Sequence, residues 1–134
     1  MTNAASTCTE CDAAPKSVIL IVEDEVIIRS LVAEHLRETG FTVIEAANAA
    51  EAVVVLSTQT DIDLVFSDIT MPGAMDGVAL AHWIHERRGE IPVLLTSGAA
   101  AAPDAPGLSA AERFVRKPYL LEEVEDQIRQ LLGD

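Results

Sequence analysis

Five side chains stand at the ends of short apolar runs, and their types belong to one kind of chemistry. Glu23 and Asp24 follow Val18–Val22, Asp68 follows Leu64–Ser67, Ser97 closes Val93–Ser97 and Lys117 follows Arg113–Arg116. Stretches of helical period separate these runs, which is the pattern of βαβ units in a parallel sheet. In such a sheet the working crevice lies outside the carboxyl ends of the strands, so three acids, a hydroxyl and a lysine are expected on one edge. Carboxylates crowded there are costly to ionise together unless a divalent cation neutralises them, and an all-oxygen set suits Mg²⁺. Asp68, the central acid, then has the position of a nucleophile on phosphorus that forms an acyl phosphate. Lys117 offers a point charge and Ser97 a neutral donor for phosphoryl oxygens.

The elements that must position these groups are legible from hydrophobic period and punctuation. Five strands are expected, at Val18–Val22, Phe41–Glu45, Leu64–Ser67, Val93–Ser97 and Arg113–Arg116. Ile28, Leu31, Val32, His35 and Leu36 keep the spacing of a buried helical stripe, and Gly40 stands where a helix C-cap belongs. Further helices are expected over Ala49–Ser57, over Gly77–Arg88 before Gly89, and over Leu121–Leu132 before Gly133. The remaining helical slot begins with Ala99–Ala102 but meets Pro103, Pro106 and Gly107, so that helix is expected to be short or distorted. The chain stops just after the last helix, which leaves no linker or output domain in the sequence read this way.

Composition narrows the function further. A length of 134 residues with 49% hydrophobic residues fits one domain with its own core. Twenty-two acidic residues against nine basic ones give a formal charge of −13, which repels a nucleic-acid backbone. No apolar run approaches the ~20 residues that cross a bilayer. Nothing at the N-terminus has the basic start and apolar stretch of a secretory signal, so the cytoplasm is the expected compartment. Cys8 and Cys11 form a CxxC pair, but it sits in a Thr/Ala/Ser-rich stretch without further ligands, and it reads as two ordinary thiols in a flexible tail. The boundaries expected are a tail over residues 1–16 and a domain over 17–134. His35, His82 and His85 read as helix-face residues and Trp83 as a packing or partner contact.

Each site residue also has a plainer reading. Glu23-Asp24-Glu25 would suit the first turn of a helix, Asp68 a loop before Pro72, and Lys117 a solvated strand end. Their joint placement favours the reactive reading. Lys117 and Lys16 are the only lysines among the nine basic residues, which singles Lys117 out.

With those residues in place, the sequence resembles a response-regulator receiver domain of two-component signalling over roughly Val18 to Leu132. The motifs that carry the resemblance are Glu23-Asp24, Ser67-Asp68, Met71-Pro72-Gly73-Ala74-Met75-Asp76-Gly77, Leu95-Thr96-Ser97-Gly98 and Phe114-Val115-Arg116-Lys117-Pro118. The resemblance implies an α/β, flavodoxin-like, doubly wound five-stranded parallel sheet of order 2-1-3-4-5. It implies that Asp68 is the phosphoacceptor, that Glu23, Asp24, Asp68 and the main-chain carbonyl of Thr70 bind Mg²⁺, and that Lys117 binds phosphate. Ser97 becomes the switch hydroxyl and Phe114 the coupled aromatic, with a cis peptide at Lys117-Pro118. The implied phosphodonor is a histidine kinase or histidine phosphotransfer protein, docking on Val26, Arg29, Pro118 and Tyr119. A stand-alone signalling protein follows, monomeric or weakly dimeric, with no enzymatic turnover beyond its own phosphotransfer and dephosphorylation.

Two departures from the usual pattern are visible: a loop one residue longer over Pro72–Gly77, and Ala99 where relatives often carry an aromatic. Two other classes would need different residues. An aspartate-nucleophile phosphatase of the haloacid-dehalogenase type would want a second aspartate two residues after Asp68, and Thr70 is there. A pseudo-receiver that never takes phosphate would want a missing acid or lysine, and none is missing.

Overall fold

Three strands are buried along their whole length, and the alternation of their side chains feeds two separate cores. The computed structural model describes residues 16–97 and 113–133. Its elements are β1 (Val18–Val22), α1 (Val26–Glu38), β2 (Thr42–Ala46), α2 (Ala49–Thr58), β3 (Leu64–Asp68), α3 (Gly77–Arg87), β4 (Val93–Ser97), β5 (Arg113–Arg116) and α4 (Leu121–Leu132). The strands form one parallel sheet of order β2-β1-β3-β4-β5, the expected 2-1-3-4-5. The fourth helical slot with Ala99, and the tail with Cys8 and Cys11, lie outside the described residues. None of the described helices is long and apolar enough to cross a membrane.

Successive strand residues point to opposite faces. Leu20, Val22, Val65 and Leu95 therefore pack with Ala52, Leu56, Leu80 and Ile84 of α2 and α3. Ile19, Ile21, Phe66 and Leu94 pack on the other face with Val32, Leu36, Val124 and Ile128 of α1 and α4. Both faces being covered explains why β1, β3 and β4 read as near-continuous apolar runs.

Boundaries shift by a residue or two where local bonding decides them. Gly40 lies one residue beyond the cap, which is Thr39, and takes φ 109°. The Gly40 amide donates to Arg37 O at 3.3 Å and the Phe41 amide to Leu36 O at 3.0 Å, the pair of bonds that closes a Schellman end. Phe41 is thereby committed to the helix end, and β2 starts at Thr42 rather than at Phe41. The third strand runs on through Asp68, which pairs with Thr96. Along α1 the buried set is Val32, Ala33 and Leu36, whereas Leu31, expected in that stripe, is 52% exposed.

Arg88 ends α3 and ties it to its neighbour. Its Nη1 donates to Leu56 O and Gln59 O, each at 3.1 Å, and its Nη2 to Thr60 O at 3.1 Å, so one guanidinium satisfies carbonyls at the end of α2. His35 bridges α1 to α4 through Glu125 at 3.1 Å, and Arg129 completes that contact by donating to Glu125 and Thr39 O. His82 and His85 are exposed on α3.

The start of α3 presses on the end of β3. The Gly77 amide donates to Ile69 O at 2.8 Å, and a Cβ at Gly77 would overlap the Asp68 carbonyl oxygen and stand 2.6 Å from Ile69 Cα. A Gly77→Ala substitution must therefore push helix and strand end apart. We expect a loss of about 1–3 kcal/mol in urea unfolding, the usual range for overpacking, and shifts of the Asp68 and Ile69 amide resonances. An unchanged midpoint would contradict this close approach.

Candidate functional site

Parallel strands that end together deliver their next residues to one edge, and the expected groups meet there. β1 leads into Glu23 and Asp24, β3 ends in Asp68, β4 ends in Ser97 and β5 leads into Lys117. Carboxylate oxygens of Glu23, Asp24 and Asp68 all lie within 4.8 Å of one another. Glu23 and Asp68 are buried, 4% and 6% exposed, whereas Asp24 opens to solvent.

Lys117 Nζ enters between the two buried acids. It donates to Asp68 Oδ2 at 2.9 Å and to Glu23 Oε2 at 3.5 Å. The other oxygen of Asp68, Oδ1, accepts from the Thr70 amide at 3.2 Å, and Glu23 Oε1 accepts from the Glu25 amide at 3.1 Å. The peptide after Lys117 is cis, and the Lys117 amide donates to Ser97 O at 3.1 Å, which sets the lysine directly beside β4. Ser97 itself is buried. Phe114 lies opposite Leu95 on the edge strand and packs, half-buried, on the α2/α3 side of the sheet.

Electrostatics follow from this crowding. Burial raises the Glu23 carboxyl from its ordinary 4.5 to about 7, the nearby Asp68 charge adds to that, and Lys117 opposes it. For Lys117, burial alone would lower the ammonium, but the hydrogen bond and charge of Asp68, joined by Glu23, reverse that and leave it raised. A group of oxygen donors that resists full ionisation fits a hard divalent cation of the Mg²⁺ type, with Asp24 at the open side. Thr70, whose carbonyl the resemblance assigns to the metal, is placed two residues after Asp68 by its own amide bond to Oδ1.

The four residues expected at a docking surface separate into two groups. Val26 is 61% exposed and Pro118 is exposed. Arg29 instead turns inward: its Nη1 donates to Glu23 O at 2.8 Å and its Nε to Glu45 Oε1 at 3.2 Å. Tyr119 is half-buried, packs edge-on against Phe66 at 5.9 Å, and buries a hydroxyl that has no partner among the described residues. Burial raises that phenol to about 12. Sequence reasoning missed the surrounding groove, a cavity of 540 Å³ walled by Ile28, Leu31 and Val32 of α1 and by Lys117, Pro118, Tyr119 and Leu121. A signal for it existed, since α1 carries more apolar residues than one buried stripe can use; Ile27 is 76% exposed.

Fold and site together define a doubly wound α/β module with an acidic pocket at the carboxyl ends of its strands, and comparison with known proteins places it in a family. The model of the response regulator receiver domain family matches residues 19–129. The chain is 30% identical over 122 residues to the transcriptional regulatory protein ResD of Bacillus subtilis, covering 90% of this chain and 50% of ResD. It is 31% identical over 124 residues to the sensor kinase CckA of Brucella abortus, covering 90% of this chain and 13% of CckA. Among solved structures, the response regulator TrrA of Thermotoga maritima in complex with Mg²⁺-BeF superposes with a TM-score of 0.79 at 30% identity, covering 87% of this chain and 99% of that one. The chain belongs to the response-regulator receiver domain family, and it spans about half the length of ResD and a smaller share of CckA.

A pH dependence follows from Glu23. Its folded-state pKa lies above the ordinary value, so between pH 4.5 and about 7 the native metal-free protein holds more proton there than the unfolded chain does. The stabilisation is complete below that window and is lost as pH rises through it. In chelator, the thermal midpoint of the wild type is expected to fall more between pH 5 and pH 8 than that of Glu23→Gln, which has nothing to ionise. Parallel curves for the two proteins would contradict the burial argument.

Proposed function

We propose that this chain is a phosphoryl acceptor in two-component signalling, taking phosphate from a histidine kinase or histidine phosphotransfer protein onto Asp68. The observation that carries the reading is the buried Asp68 carboxylate, held by the Lys117 ammonium at 2.9 Å and by the Thr70 amide, inside a cluster with Glu23 and Asp24. A carboxylate fixed from two sides needs little reorganisation to meet phosphorus in line. In the step, an Asp68 oxygen forms a bond to phosphorus while the phosphorus–nitrogen bond of the donor phosphohistidine breaks, its electron pair returning to the imidazole. Lys117 is placed to move from the Asp68 oxygen to a phosphoryl oxygen, and Ser97, at the end of the adjacent strand, offers a hydroxyl to another.

Glu23, Asp24, Asp68 and the Thr70 carbonyl would hold Mg²⁺, in line with the Mg²⁺ in the TrrA complex. Bound there, the ion offsets the charge of the carboxylates and the incoming phosphoryl oxygens. The role is that of an acceptor, not of a turnover enzyme, and its expected setting is the cytoplasm as a monomer or weak homodimer. Phe114, half-buried beside β4, is the group to turn inward when Ser97 is drawn to phosphate, which would reshape the β5 face for a downstream target. Read as a stand-alone receiver, the chain signals through that surface.

The donor's helix finds a matching surface in the groove between α1 and the segment after β5. Leu31, 52% exposed, presents an apolar side chain in its wall, Val26, Ile27 and Leu120 expose further apolar side chains on the same two segments, and Lys117 is part of the wall. An amphipathic helix laid there would bring a histidine toward the acidic edge.

Two measurements test these statements. Incubation with a small-molecule phosphodonor and Mg²⁺ is expected to add one base-labile phosphoryl group by intact mass, absent without Mg²⁺ and absent in Asp68→Asn. Equal gain in the variant would rule Asp68 out, and no gain at all would favour an unphosphorylated interaction module. For docking, Leu31→Glu, at a position in the groove wall that is 52% exposed, is expected to slow phosphotransfer from a phosphorylated histidine phosphotransfer protein by about tenfold, as loss of a central apolar contact does. Uptake from the small donor should be unchanged; a loss with both donors would place the defect in the site.

A further inference from the structure

Arg29, the charged residue of the expected docking set, turns its guanidinium onto the backbone of Glu23. Its side chain is only 16% exposed, and both ends of the guanidinium are engaged, with the Glu23 carbonyl at 2.8 Å and with Glu45 of β2 at 3.2 Å. Glu45 is itself pinned by Arg37, two turns further along α1, at 3.2 Å. The peptide that joins Glu23 to Asp24 is therefore held from outside. Its neighbouring groups are held too: the Glu23 amide donates to Ala46 O at 3.0 Å and the Glu25 amide to Glu23 Oε1 at 3.1 Å.

Deepening the reading above, and resting on its assignment of a Mg²⁺ site, we propose that Arg29 is a positioning residue for that site. It fixes the Glu23–Asp24 peptide so that the two acids meet Asp68, rather than serving as a contact for the kinase. Glu45 makes this arrangement compatible with a cation. A bare guanidinium a few ångströms from the pocket would repel a divalent ion, and the Glu45 carboxylate cancels that charge while orienting the donor.

The sign of the effect separates positioning from simple charge. Removing a positive charge beside a cation site by itself tightens cation binding, whereas releasing the loop loosens it. Titration calorimetry with MgCl₂ on the full chain, without any phosphodonor, reads the difference. Arg29→Gln is expected to weaken Mg²⁺ about tenfold, the usual loss when a group supporting a metal ligand is removed. Arg37→Gln deletes the same charge from the same partner without touching the loop, and should leave the affinity unchanged or tighter. Should Arg29→Gln fail to fold by thermal melt, Arg29→Lys serves instead. It keeps the charge but cannot span the Glu23 carbonyl and Glu45 together, so a severalfold weakening is expected.

Unchanged or tighter binding in the Arg29 variant, with the wild type binding normally, would overturn the proposal and leave the metal site standing. Equal weakening in Arg29→Gln and Arg37→Gln would overturn it as well, because it would trace to the α1–β2 contact as a whole. No Mg²⁺ binding by the wild type would overturn the metal-site reading and this inference with it. A defect seen only in phosphotransfer from a histidine phosphotransfer protein, with Mg²⁺ affinity intact, would return Arg29 to the docking surface.

Discussion

Mutual repulsion among Glu23, Asp24 and Asp68 is the constraint around which the rest of the structure is arranged. Carboxylates within 4.8 Å of one another, two of them buried, do not stay together unless the chain holds them there and supplies positive charge. Lys117 supplies the charge from β5, on the far side of the sheet from the first acid. The sheet supplies the holding, since β1, β3 and β4 lie side by side with apolar helices on both faces. A buried ion pair of this type contributes little net stability once desolvation is counted. Its persistence rests on the two cores that hold the strands side by side.

The close contacts around Asp68 show how that edge is made rigid. Gly77 lets the start of α3 touch the backbone after Asp68, the Ile69 amide reaches across to Thr96 O, and the Lys117 amide to Ser97 O. Strand ends that would otherwise fray are tied to the next strand or helix. The same edge passes into a groove lined with apolar side chains, so Lys117 belongs at once to the acidic pocket and to the wall of a surface suited to a helix. Site and groove meet at one residue.

Much of this was legible in the sequence because it depends on period and punctuation. Fully apolar runs announced strands buried on both faces, and the residues that follow such strands are forced to one edge by topology alone. Asp68, Lys117, Ser97 and the Glu23-Asp24 pair could therefore be placed before any coordinates. Side-chain direction could not. Arg29 and Val26 lie on the same helix and look equally available in sequence, yet one turns in to a carbonyl and the other faces solvent, a choice made by Glu45 on a different strand. Leu31 fits the spacing of a core stripe but stands on its margin, because Ala33 takes the inner place. Phe41 begins an apolar run yet spends its amide on the end of α1. In each case the decision lies with a partner distant in sequence or with a hydrogen bond that hydrophobic pattern does not encode.

Arg88 fastens the domain at the end opposite the acids. Its guanidinium gathers three carbonyls around the close of α2, at the end of the sheet away from the acids, so that α2 and α3 are stapled where they leave the core. A lever fixed at one end transmits displacement to the other. A change in volume or charge at the acidic edge therefore meets helices that are fastened to each other at the Arg88 end and resist splaying there.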